Sequence, residues 1–142
     1  MSDNSRKKEF LGGYRFYKRE VRWIRERIEQ LISENLGKAI SYDGMPKATG
    51  GKYDLSDMAA RVDEMIGELQ RAEERYIARA ESIEAAIAKM KDEAEREVLS
   101  SRYLNLRRWE EIADAMGYSK RHVLRIHGRA LEHFELPRTR CH

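Results

Sequence analysis

The chain has 142 residues, of which 28 are Lys or Arg and 25 are Asp or Glu, giving a net charge of +3 with 37% of positions charged. Only two prolines and 41% hydrophobic residues favour long helices and exclude a wholly disordered chain. The length suits one or two small domains. No run of about 18 apolar residues is present to span a membrane. MSDNSRKKEF lacks the apolar segment of a secretory signal, and the lone Cys141 excludes an internal disulfide, so a cytoplasmic setting is expected.

The first element is a helix carrying Phe10, Tyr14, Tyr17, Val21, Ile24, Ile28 and Leu31. Their spacings alternate 4 and 3, a heptad stripe kept for three repeats, with charged residues between. Gly12 and Gly13 weaken its start, and Gly37 is the expected stop. Residues 37–55 hold a proline and several glycines and read as a connecting loop, pinned by Tyr42, Met45 and Tyr53. The Gly50-Gly51-Lys52 triplet fails as a phosphate-binding loop, because the leading glycine is missing and Tyr53 replaces the Ser/Thr.

Ser56 is the candidate cap of a second long helix, with Met58, Val62, Met65, Leu69, Ala72 and Tyr76 again at alternating spacings. A four-residue stutter then leads to Ala80, Ile83, Ile87, Met90 and Ala94. At about 1.5 Å per residue the two helices span roughly 45 and 50 Å, which predicts an antiparallel hairpin. Phe16 and Trp23 on the first helix, and Ile66 and Ile77 on the second, fall off the stripes. Such unpaired apolar residues predict self-association, with a dimer favoured.

Charge then shifts along the chain. Residues 37–106 carry eleven basic and fourteen acidic residues, whereas 107–142 carry eight and five, together with all four histidines. Three short helices are expected over 93–104, 109–116 and 120–134. Within them, Ala113 provides the small residue for a close helix crossing, and Gly117 a turn residue able to take positive φ. Ser119 caps the next helix, while Ile112, Met116, Tyr118, Val123 and Ile126 are expected to close a core. That is the pattern of a helix-turn-helix.

Once Val123 and Ile126 point inward, Ser119, Lys120, Arg121, His122 and Arg125 are left on the exposed face. No acidic residue lies between 115 and 131. Arg121 and Arg125 have the forked geometry that reads guanine in the major groove, and Lys120 suits phosphate or guanine. Ser119 with the first amides suits a phosphate, Arg107 and Arg108 are placed for the DNA backbone, and Arg129 is a flanking candidate. Trp109 reads as a core or staple residue. No HxxxH or CxxC spacing and no paired-carboxylate or nucleophile cluster occurs, so no metal, no cofactor and no enzymatic activity are expected.

Residues 96–134 resemble region 4 of sigma-70-type factors, through Leu99, Arg102-Tyr103, Trp109-Glu110-Glu111-Ile112-Ala113, Tyr118-Ser119 and Arg129-Ala130-Leu131. With the Gly44-Met45-Pro46 loop and the long helices, the chain also resembles the small late-operon transcriptional activators of phages of Gram-positive bacteria (RinA/ArpU-like). The resemblance implies a DNA-binding transcription regulator in a bacterial host cell. It would engage double-stranded DNA at a promoter or upstream operator, with host RNA polymerase as a further candidate partner. It adds Leu124 to the base-reading positions, where the apolar side chain suits a thymine methyl. The competing expectation is a phage small terminase subunit, which also joins a helix-turn-helix to helical oligomerisation.

The expectation is therefore an all-α chain. A coiled-coil-like antiparallel hairpin occupies 1–91 with its loop at 37–55, the helix-turn-helix domain occupies 92–136, and a flexible tail occupies 137–142.

Overall fold

A computed structural model of the chain describes residues 2–42 and 55–138, with side chains described over 2–37 and 56–138. The described residues are all helical or irregular: α1 (Asp3–Tyr42), α2 (Leu55–Ala88), α3 (Glu93–Leu99), a π-turn (Ser100–Leu104), α4 (Trp109–Met116) and α5 (Lys120–His133). None of these helices is long and apolar enough to cross a membrane.

Two boundaries differ from the sequence expectation. α1 does not stop at Gly37 but runs to Tyr42, so the first six residues of the expected loop 37–55 are helical. A glycine inside a helix costs only about 1 kcal/mol, and Leu36, Lys38, Ala39 and Ile40 around it are tolerated helix residues. Ser56 lies inside the first turn of α2 rather than capping it, because the helix already starts at Leu55. The expected Gly44-Met45-Pro46 loop feature, the Gly50-Gly51-Lys52 triplet, the pinning by Tyr42, Met45 and Tyr53, and Cys141 lie outside the described residues or side chains.

Contacts group the chain into two units, Met1–Tyr17 with Arg75–His142, and Lys18–Glu74. In the second unit the heptad positions are the inward ones. Val21, Ile24 and Ala72 are buried, Ile28, Leu31, Val62, Met65 and Leu69 are half-buried, and Arg25 Nη2 pairs with Glu73 Oε1 at 3.2 Å. Trp23 and Ile66 stay exposed off the stripe, with the Arg27 guanidinium 5.5 Å from the Trp23 ring.

The first unit holds the deeper packing. The start of α1 runs antiparallel to the end of α2. Tyr14 and Tyr76 stack at 5.8 Å, and Arg79 Nη1 donates to the Phe10 carbonyl at 3.0 Å. The Arg79 guanidinium also covers the Phe10 ring at 4.5 Å. It passes directly over Gly13, where any Cβ would collide with it. This close approach, rather than backbone freedom, is what the glycine permits.

Leu11, Ile83, Ile87, Met90, Leu99, Leu131 and Phe134 form one core, which joins the base of the hairpin to α3 and the end of α5. Val98, Ile112, Ala113, Val123 and Ile126 form a second core inside the helix-turn-helix. The adjacent residues Val98 and Leu99 thus serve different cores. On a helix they point about 100° apart, so a helix packed on two sides can supply both.

A buried lysine ties the chain start to the end of α5. Lys7 Nζ donates to the carbonyls of Leu131 at 2.7 Å and Glu132 at 3.3 Å, and lies 3.5 Å from Asp3 Oδ2. The last carbonyls of a helix lack intrahelical partners and carry partial negative charge, so a cation there satisfies both. His133 Nδ1 lies 2.6 Å from the buried Glu95 carboxylate on α3, a second tie at the same helix end. Replacing Lys7 with Met keeps the apolar stem and removes the charge. It is expected to cost about 1–3 kcal/mol, whereas Phe134→Ala should cost about 3–5 kcal/mol through the cavity it leaves. Urea titration of both variants checks the order, and a Lys7→Met variant as stable as the parent would refute the capping role.

Candidate nucleic-acid interface

The turn between α4 and α5 is built as its residue types require. Gly117 ends α4 in the left-handed region at φ 71°, and its amide and that of Tyr118 bond back to Asp114 at 3.3 Å and Ala113 at 3.0 Å. Any other residue at that φ would bring its Cβ against the following carbonyl. Ala113 is buried, where a longer side chain would be excluded from the close helix packing. Ser119 then caps α5, its Oγ accepting the His122 amide at 3.1 Å.

α4 begins without a side-chain cap from residue 108; instead Glu111 Oε1 reaches back to the Arg108 amide at 3.1 Å and to Arg108 Nε at 3.1 Å. The backbone bond, and then the side-chain one, hold the Glu111 carboxyl below the usual range. The guanidinium of Arg108 is thus engaged within the helix start, while Arg107 is exposed and its carbonyl accepts from Arg102 Nη1 at 3.1 Å. Leu106, in the same connection, takes a left-handed φ of 55°.

Of the five core residues expected, Ile112, Val123 and Ile126 are fully buried and Met116 packs against them half-buried. Tyr118 is not in the core. It is 43% exposed and stacks edge-on against His122 at 4.6 Å. Its position directly after Gly117 turns it outward, and α5 supplies enough apolar surface to close the core without it. His122 is consequently half-buried rather than open.

The remaining candidates lie along one side of α5. Arg121, Arg125, Arg129 and Leu124 are exposed. Among the described residues none of these three arginines makes an ion pair, whereas Lys120 Nζ pairs with Glu110 Oε1 at 3.0 Å across α4 and α5. A hydrogen bond from its own backbone amide, and then Lys120, hold Glu110 below the usual carboxylate range. Both partners are more than half exposed, so the pair is labile and leaves Lys120 available. His122, Arg125 and Arg129 line a shallow basic depression of about 200 Å³.

The inner side of α5 holds a residue that sequence reasoning did not place. His127 is buried, with Tyr103 Oη 2.7 Å from its Nε2 and the Trp109 ring edge-on at 4.7 Å. The Arg102 guanidinium lies over the Trp109 ring, 4.4 Å from its centre. Burial, and then the positive charges of Lys8 and Arg102, push the His127 pKa down to about 4. Burial likewise raises the Tyr103 phenol. His127 therefore adds no charge to the exposed face at neutral pH. The signal for it was available: residues 123, 126, 127, 130 and 131 form one i, i+3, i+4, i+7, i+8 stripe.

A family model for sigma-70 region 4 matches residues 86–134, so this part of the chain is similar to that helix-turn-helix DNA-binding domain. No curated protein and no solved structure matches the chain.

The neutral His127 has a signed consequence. The unfolded chain takes up a proton near pH 6.5, and the folded chain only near 4. Stability is therefore intact above pH 6.5 and falls as pH drops through that window. Between pH 7 and 5 the loss should be about 2 kcal/mol at roughly 1.4 kcal/mol per unit. His127→Gln should flatten this slope in denaturant titrations at the two pH values; parallel slopes in the two proteins would refute it.

Proposed function

We propose that the protein is a sequence-specific DNA-binding transcription regulator that lays the start of α5 in the major groove. The observation that carries this reading is the pair Arg121 and Arg125, one turn apart, exposed and without ion pairs among the described residues, on a helix whose capped start and glycine turn fit the helix-turn-helix requirement. Arg121 and Arg125 read base edges. Ser119 fixes the helix start and leaves the next amides toward a phosphate, and Lys120, Arg107 and Arg129 contact the DNA backbone. Arg108 contributes through the start of α4. Leu124 and the half-buried His122 flank the arginines and shape the apolar part of the contact.

The finer reading is an activator of phage late genes, supported by the resemblance to late-operon activators in the long helices, the Gly44-Met45-Pro46 segment and the region-4-like end of the chain. In it the chain acts as a dimer. Each unit leaves apolar residues uncovered in its own surface: Phe16 and Ile77 in one, Trp23 and Ile66 in the other. The role calls for no cofactor and no catalysis.

Selection of bound fragments from the host phage genome, followed by footprinting, tests the reading. A site overlapping a promoter supports a regulator, whereas a packaging start site together with a ring of eight or more subunits supports a small terminase subunit instead. On the selected site, Arg121→Ala or Arg125→Ala should cost about 1–3 kcal/mol and relax one base position. Lys120→Ala should weaken all sequences alike and lower the salt slope by about 1. A double Arg121→Ala/Arg125→Ala variant with the parent footprint would remove the groove assignment.

A further inference from the structure

Gly128 lies in the third turn of α5, on the stripe that continues Arg121 and Arg125 at i+7 and i+3. Its backbone is ordinary right-handed helix, since among the described residues Gly117 is the glycine with positive φ. A Cβ added at 128 would meet nothing within 4 Å. Neither backbone conformation nor the protein's own packing calls for glycine here, although glycine inside a helix lowers its stability. Gly12 and Gly37 are equally open, but Gly128 alone of the three lies on the face proposed for DNA.

Its neighbours define what approaches. Arg125 and Arg129 flank it on one side and, with His122, line the basic depression; the exposed Leu124 flanks it on the other. In a helix-turn-helix the N-terminal part of the reading helix meets base edges, and turns further along reach the groove wall. That wall is sugar and phosphate, and its closest approach to a helix is limited by side chains.

We propose that the sugar-phosphate wall of the major groove crosses α5 at Gly128, with one phosphate against Arg129 at the edge of the depression. This rests on the DNA-binding reading above and adds a positioning residue to it. Glycine at 128 sets how deeply α5 enters the groove, and so brings Arg121 and Arg125 within reach of the bases.

The test compares the full-length parent with Gly128→Ala and Gly128→Gln on the duplex selected above. Both replacements are better helix formers, so thermal melting should hold or rise by about 3 °C. Affinity should nonetheless fall about tenfold for Ala, the order of a single lost or strained contact, and further for Gln. The base preference should stay as in the parent, because phosphate carries no sequence information. Parent-like affinity in Gly128→Gln overturns the proposal while leaving the DNA-binding reading in place. A changed preference at a single base also overturns it, by showing a base edge rather than the wall at 128. Absence of duplex binding by the parent protein overturns both.

Discussion

The arrangement of the first unit depends on α3 being buried on two sides. Val98 closes the helix-turn-helix core and Leu99 closes the core shared with the base of the hairpin. A seven-residue helix has too little surface to stand alone and is held by what it joins. Asp92 caps it by accepting the Glu95 amide, and Arg96 Nη1 reaches back to the Met90 carbonyl at 2.6 Å, which closes the turn from α2. The π-turn that follows, closed by the Asn105 amide on the Ser100 carbonyl at 3.0 Å, brings Tyr103 to His127. One short segment therefore fixes where α5 lies relative to α3 and to the start of α1.

The electrostatics divide along the same line. Acidic residues are spent on helix faces and on intramolecular partners: Glu111 with Arg108, Glu110 with Lys120, Glu95 with His133. The outward side of α5 has no carboxylate until Glu132, so Arg121 and Arg125 have no competing anion within a turn on their own helix. A net charge of +3 gives little long-range attraction, and in the proposed reading recognition would draw on short-range hydrogen bonds more than on bulk charge.

Much of this was legible in the sequence because the demands are local. Gly117 for positive φ, Ala113 for the crossing, Ser119 for the cap and the α4 limits all follow from one residue's chemistry and its spacing. The heptad stripe likewise identified Val21, Ile24 and Ile83 as inward. What was not legible depends on distant partners. Lys7 looked like one charge among many, and only the carbonyls of residues 131 and 132 give it a buried role. Leu11, fully buried, lies off the heptad stripe because the core it fills is supplied by α3 and α5 rather than by α2 alone. Tyr118 looked apolar enough for the core, but sequence spacing does not say that the core is already full. Gly37 looked like a stop because glycine often is one, yet nothing after it breaks the helix before Tyr42.

The tie between the chain start and α5 also bears on recognition. Lys7, Phe134 and the Glu95–His133 pair all act on the last turn of the helix whose first turns carry Arg121 and Arg125. A helix held at its far end by buried contacts, and at its near end by Ser119 and the Gly117 turn, has little freedom to tilt. Base-edge hydrogen bonds form over a narrow range of distance and angle, so in the proposed reading rigidity over the length of α5 would let two arginines read bases together. On that proposal the start of α1 would act with the reading helix, although more than 100 residues separate Lys7 from α5.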